Sequence, residues 1–269
     1  MRITVNGHGT YCYTGGKAFD AAKPTVVFIH GVLNDHSVWA LQSRYFANHG
    51  WNVLAVDLPG HCRSEGDAPE SVEQAAGFIA ALLDAAGVAR AALVGHSWGS
   101  LIALEAAARL QDRITHLVLV GTAYPMKVSP ALIESALNTP EKALRMVNVF
   151  SRSTLASPSG AGFWAYGAGM ALGRRVLRSN PAVNVFHRGF LACDRYAGGE
   201  AAIARITCPV LFALGAQDQM TNPKAAQGLI AAARAAGKAV QVASLPVGHH
   251  QMTEAPDATL FAIRDFLAA

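Results

Sequence analysis

Residues 93–107 read "LVGHSWGSLIALEAA", a run that begins as a strand and continues as a helix. "LVG" has the character of a buried strand end, whereas "SLIALEAA" is rich in good helix formers. The chain has to turn sharply between the two. Its centre, Gly95-His96-Ser97-Trp98-Gly99, fits G-x-S-x-G. The flanking glycines allow close backbone approach, and the strained turn lifts the serine side chain above the sheet. The helix that starts there also points free N–H groups and its positive dipole end at the serine. Ser97 is the candidate nucleophile. The competing reading is a capping serine at an ordinary strand-helix turn.

Working outward, "TVVFIH" (25–30), "NVLAVD" (52–57), "AALVG" (91–95), "HLVLVG" (116–121), "PVLFALG" (209–215) and "AVQVASL" (239–245) are apolar runs suited to strands. Helical stretches fall at about 37–49, 71–86, 97–111, 223–236 and 256–268. Strands alternating with helices imply an α/β fold, a mainly parallel sheet with helices on both faces. "RITVNGHGTYCYT" alternates and breaks at Asn6-Gly7, which predicts an antiparallel hairpin. Between Gly121 and Pro209 no core strand is visible. That interval holds helical pieces and a glycine-rich aromatic patch, "SGAGFWAYGAGMALG", so a helical lid over 125–203 is expected, with 1–124 and 204–269 forming the core.

Composition narrows the function. A chain of 269 residues that is 52% hydrophobic and 15% charged can bury a real core and is not a disordered segment. No apolar run approaches the roughly 20 residues needed to span a membrane. The opening "MRITVNGHGTYCYTGG" lacks the basic and apolar regions of a signal peptide. Cys12, Cys62, Cys193 and Cys208 show no metal-ligand spacing and read as free thiols of a cytoplasmic protein. The net charge is only +4, concentrated in residues 125–203, where nine Lys/Arg face four acids. A nucleic-acid binder would show a dense basic stripe with interleaved aromatics. A solvated basic face is the default, and a bias towards acidic substrates comes second.

A serine hydroxyl needs a base to become a nucleophile, and its product oxyanion needs donors. The Trp98 backbone N–H, just after Ser97, is one candidate donor. The second is the Val32 N–H, aimed by the His30-Gly31 turn of "HGVLNDHSVW". His30 itself is expected to bond within its loop.

These stretches resemble an α/β-hydrolase over nearly the whole chain. The resemblance rests on "VVFIHG" followed by Trp39, "VLAVDLPGHCRS", "LVGHSWGS", "PVLFALGAQD" and "VGHHQMTEAP", in that order and at that spacing. It implies an eight-stranded sheet, a helical cap inserted after the sixth strand, and the chain order serine, acid, histidine. Cys62 in "PGHCRS" departs from the glycine often found there. The acid expected is Asp218, on the loop after "PVLFALG", because the preceding strand ends "LVGTAYPM" without a carboxylate. The family pattern of Gly-His, four residues, then Glu-x-Pro is met only if His249 leads to Glu254 and Pro256. That register makes His249, not His250, the base. Asp218 would hold its tautomer and stabilise the imidazolium, completing a Ser-His-Asp triad.

The reading is a serine hydrolase of carboxylic esters or lactones, working through an acyl-Ser97 intermediate. It needs no metal and no organic cofactor. Its partner is a small-molecule substrate, with no nucleic acid and no membrane, and the protein is a monomer or homodimer. Two alternatives stay open: cleavage of carbon–carbon bonds in ring-fission diketones, and a slow-turnover ligand sensor. Dehalogenases and epoxide hydrolases of this fold use an aspartate at the position of Ser97. The pocket candidates are Trp98, Tyr124, Phe163, Trp164, Tyr166 and His250, with Met170 beside them, each weighed against simple packing. Asn34, Asp35 and His36 are expected mainly to organise their own turn.

Overall fold

A computed structural model describes residues 1–20, 22–153 and 165–268. The strands are β1 (Arg2–Val5), β2 (His8–Tyr13), β3 (Thr25–Ile29), β4 (Asn52–Val56), β5 (Ala91–His96), β6 (Ile114–Val120), β7 (Val210–Gly215) and β8 (Val240–Leu245). They form one sheet in the order β1-β2-β4-β3-β5-β6-β7-β8. β1 pairs with β2, and β2 with β4, antiparallel; every other pairing is parallel. The hairpin turns at Asn6 and Gly7, both at positive φ, as the Asn-Gly signal predicts.

The helices are α1 (Ala40–Asn48), α2 (Val72–Ala85), α3 (Trp98–Leu110), α4 (Pro130–Asn138), α5 (Pro140–Phe150), α6 (Ala165–Ser179), α7 (Val185–Arg195), α8 (Gly199–Arg205), α9 (Gln227–Ala235), α10 (Gln251–Glu254) and α11 (Pro256–Leu267). Their starts follow from local chemistry. Ser71 caps α2 by accepting from Gln74 N, and Ser129 caps α4 just before Pro130. The expected helix at 37–49 divides in two. Its first turn, His36–Trp39, is a 3₁₀ turn capped by the Asp35 carboxylate, and α1 follows.

Alternate residues of each central strand enter opposite apolar layers, which is why these strands read as continuous hydrophobic runs. Val27, Ile29, Leu93, Leu117, Leu119 and Phe212 join residues of α2, α3, α8 and α9 on one face. Val26, Phe28, Val94, Val118 and Leu211 join Phe46 of α1 and Ile263 and Phe266 of α11 on the other. The helical insertion follows β6, the sixth strand, as expected. Among the described residues α4 to α7 carry their own apolar cluster, including Leu132, Leu144, Met170, Val176, Phe186 and Phe190, and it closes over Leu33 and Ala68 of the core. α8 behaves differently: Ala202 and Ile203 are buried in the sheet layer beside α3.

The turn between β5 and α3 depends on two glycines. A Cβ on Gly99 would lie 2.6 Å from the His30 carbonyl oxygen, and one on Gly95 would lie 2.8 Å from Ser100 Cα. Both distances are far below van der Waals contact. Gly99→Ala is therefore expected to destabilise the protein by at least about 3 kcal/mol in urea unfolding. Gly228 in α9 has open space around it. Gly228→Ala should raise stability by about 0.5–1 kcal/mol in the same assay.

Candidate active site

The site lies at the C-terminal ends of the central strands, where Ser97, Asp218 and His249 converge from three connections. Ser97 sits between β5 and α3 at φ 54°, ψ −121°. This left-handed conformation costs a non-glycine residue on the order of 1–3 kcal/mol. It is held from both sides: Ser97 N donates to Val120 O at 2.9 Å, and Ser97 O accepts from Ser100 N at 2.8 Å and Ser100 Oγ at 2.5 Å. Ser100 Oγ also reaches Thr122 Oγ1 at 2.8 Å. Among the described residues the Ser97 hydroxyl caps no N–H of the helix that follows.

Asp218 lies in the loop after β7 and is 2% exposed. Its Oδ2 is 2.8 Å from His249 Nδ1. Its Oδ1 accepts from the backbone N–H groups of Met220 and Thr221, each at 2.8 Å. Thr221 Oγ1 donates towards Asp218 Oδ2 at 2.7 Å and lies 2.8 Å from Gly121 O. Burial works against ionisation of Asp218. The neighbouring His249 and the Thr221 donors outweigh it, so the carboxyl stays below its ordinary range. A carboxylate on Nδ1 leaves Nε2 of His249 as the nitrogen available to a second partner.

The histidine loop is tied down by Glu254. Its carboxylate accepts from Gly248 N at 3.1 Å, His250 N at 3.0 Å and Ser153 N at 2.9 Å. This is the physical content of the Gly-His-x₄-Glu spacing: the acid clamps the backbone on both sides of His249. His249 N donates to Ser151 O at 2.8 Å, and His96 Nε2 to His249 O at 2.8 Å. Burial first, then the neighbouring His249, lowers His96 to about 3, so it serves this bond as a neutral donor.

Ser97 and His249 open on the same cavity of about 290 Å³. Val32 lines it too, and its turn comes close to Ser97 because Gly31 lies against Ser97 Cβ. The apolar part of the other walls includes Met126, Val128, Leu132, Met146, Phe150 and Phe190, with Met220 and Thr221 at the acid loop, while Lys127, Ser129 and Gln219 add polar groups. None of these wall residues stood out in the sequence, because apolar residues on short helices look the same whether they line a cavity or pack a core. Thr221 carried a faint signal, a hydroxyl three residues after Asp218.

Several expected pocket residues lie elsewhere. Trp98 is 1% exposed and packs in the sheet layer, so its side chain does not line the Ser97 cavity. Tyr124 turns to α8, lying over Gly199 and donating to Ala197 O at 2.6 Å. His250 lines a neighbouring cavity of about 270 Å³ with Asn34, Asn148 and Arg152. Tyr166 and Met170 pack with the apolar cluster of α4 to α7. Phe163 and Trp164 lie outside the described residues. His30 bonds within its loop through Nδ1, 2.8 Å from Gly31 O, and outside it through Nε2, which accepts from Leu58 N.

Asp35, His36 and Asp57 bring one donor atom each within 4.8 Å of one another. Those atoms are already engaged. His36 Nδ1 meets Asp57 Oδ1 at 2.7 Å, and Asp35 Oδ2 accepts from Arg175 at 2.6 Å. The cluster therefore works as a latch between the loop after β3 and α6, a contact invisible in the sequence. Among the described residues no helix is long and apolar enough to cross a membrane.

Comparison with known proteins agrees with this architecture. The family model for the alpha/beta hydrolase fold matches residues 24–256, and the chain belongs to that family. It is 30% identical to epoxide hydrolase 3 of Xenopus tropicalis over 138 residues, 46% of this chain and 37% of that one. It is 33% identical over 145 residues to a 2-hydroxy-6-oxononadienedioate/2-hydroxy-6-oxononatrienedioate hydrolase of Paraburkholderia phymatum, 48% of this chain and 50% of that one. The chain spans half or less of the length of such curated relatives. Among solved structures, the enol-lactonase of Burkholderia xenovorans superposes with a TM-score of 0.82, covering 100% of both chains at 24% identity, a likeness of fold.

The Asp35 latch has a measurable pH signature. Burial alone would raise the Asp35 carboxyl, but the Ser37 hydroxyl and N–H and the Arg175 guanidinium outweigh it and hold it at about 2. A depressed carboxyl stabilises the fold above its unfolded range and loses that contribution as pH falls through the folded value. Asp35→Asn should therefore cost on the order of 2 kcal/mol at neutral pH, and the gap to wild type should close between about pH 4 and pH 2. Urea titrations across that range measure it.

Proposed function

We propose that the protein is a serine hydrolase that cleaves carboxylic esters or lactones of small to medium acyl groups. The observation that carries this reading is Ser97 and His249 on one cavity, with the Asp218 carboxylate 2.8 Å from the far nitrogen of the same imidazole. In the proposed reaction His249 Nε2 takes the Ser97 proton as Oγ attacks the carbonyl carbon. The Val32 and Trp98 N–H groups receive the oxyanion. Asp218 stabilises the imidazolium, which then protonates the leaving alkoxide as the acyl-Ser97 ester forms. Water, deprotonated by His249, resolves that ester and returns Ser97 to its starting state.

The apolar walls supplied by Met126, Leu132, Met146 and Phe190 favour an uncharged acyl chain next to the reacting carbonyl. Within residues 125–203, helices α4 to α7 act in this reading as the lid that sets substrate size. Four free cysteines fit a reducing, cytoplasmic compartment. A second reading, hydrolysis of a carbon–carbon bond in a ring-fission diketone, is favoured by the dienedioate hydrolase relative. Epoxide opening through an enzyme carboxylate does not suit a chain that carries Ser97 at the nucleophile position.

A panel of p-nitrophenyl esters from acetate to decanoate, with simple lactones, tests the proposal. Wild type should turn esters over, and Ser97→Ala or His249→Ala should lower kcat by at least about 10³-fold. His250→Ala should cost much less than His249→Ala. Turnover of ring-fission diketones in place of all esters and lactones would transfer the assignment to the second reading.

A further inference from the structure

The cavity beside the Ser97 chamber contains an unusual cation. Arg152 follows α5 and lines this space with Asn34, Asn148 and His250. Its Nε and Nη1 are buried and have no hydrogen-bond partner among the described residues. A guanidinium carries five N–H donors, and leaving buried ones unmet is costly. Burial lowers its pKa, and the charge of Glu254 compensates only in part.

Among the described residues no carboxylate pairs with this cation. The oxygens of Glu254 are taken by the backbone N–H groups of Ser153, Gly248 and His250. Asp35 is committed to Arg175, the other cation of the cavity, at 2.6 Å. His250 is held neutral, first by burial and then by the charge of Arg152. Among the described residues the cavity thus presents a fork of donors with positive charge and no carboxylate paired to it.

Its position ties it to the reaction. Val32 and Val147 line both cavities, so the two spaces adjoin along these apolar side chains. The backbone of Arg152 abuts the histidine loop: its carbonyl carbon would be 2.9 Å from a Cβ on Gly248, and the preceding residue, Ser151, accepts the His249 N–H. A planar fork of N–H donors matches a carboxylate through two parallel bonds, and burial strengthens that match.

We propose that Arg152 is the receptor for a second carboxylate on the substrate, so that the preferred substrates are hemiesters or lactones of dicarboxylic acids. The inference rests on the serine-hydrolase reading for its reaction, but not for its binding step. The reacting carbonyl stays in the Ser97 chamber, an apolar methylene segment passes Val32, and the free carboxylate ends on Arg152.

The test compares mono-4-nitrophenyl esters of succinate, glutarate, adipate and suberate with neutral 4-nitrophenyl esters of matching length. Wild type should favour one acidic length by about tenfold or more in kcat/KM, mainly through a lower KM. Arg152→Met should reduce that preference to within about twofold, and Arg152→Lys should keep part of it. The full chain carrying Ser97→Ala should gain thermal stability from the matching free dicarboxylate, and the double variant with Arg152→Met should not. Turnover of neutral esters with no preference for acidic ones would overturn the proposal. So would equal losses on neutral and acidic esters in Arg152→Met and Arg152→Lys alike, the mark of a purely structural arginine. If no ester is turned over, the hydrolase reading fails, and the stability shift still decides the subsite: no Arg152-dependent shift with any of the four dicarboxylates overturns it.

Discussion

Helix α3 lies against the end of β3 only because Gly95 and Gly99 carry no side chains. That close approach forces Ser97 into a left-handed conformation, and the cost is met by the backbone bonds to Val120 and Ser100 and by the burial of α3 along nearly its whole length. The turn then determines what can gather around it. Gly31 brings Val32 to the same point, and the neighbouring β6 and β7 ends deliver Gly121 and the Asp218 loop. A looser turn would leave the serine on the sheet's flank with no cavity in front of it.

Around the turn the electrostatics are simplified by burial. His30, His61, His96 and His250 are all pushed below the ordinary imidazole range, chiefly because the interior disfavours their charged forms. They act as neutral donors, acceptors and packing groups. The charges left near the site are few and separately held: Asp218 against His249, Glu254 against three backbone N–H groups, Asp35 against Arg175. Arg152 stands apart from this pattern, which is why its environment is informative.

Much of the fold was legible because its central strands are buried on both faces and its turns use glycine and asparagine in their usual roles. The hairpin at Asn6-Gly7, the six parallel strands and the insertion after β6 all follow from such local signals. The convergence of Ser97, Asp218 and His249 was legible through spacing, since each follows a strand end. The pocket was read less well. Trp98 was expected at the acyl pocket because it adjoins Ser97, but successive residues at a helix start point in different directions, and its ring enters the core. His250 adjoins His249 yet faces the other cavity for the same reason. Thr221 and the Asp35–Arg175 latch depend on partners 100 or more residues away or on loop geometry, and neither leaves a periodic trace.

The sequence by itself determined the layer architecture, the strand-turn-helix at Ser97 and the local spacing of Gly248, His249 and Glu254. Those features depend on contacts within a few residues, on residue size at tight turns and on alternation along strands, all of which are written locally. Tertiary structure alone decided which side chains face the chamber, that a second cavity adjoins it, and that Arg152 buries Nε and Nη1 there with no carboxylate partner among the described residues. Such facts depend on how separate elements are rotated and stacked against each other. A cation looks the same in sequence whether it is solvated or enclosed; only the packing of α5, α6 and the histidine loop distinguishes the two.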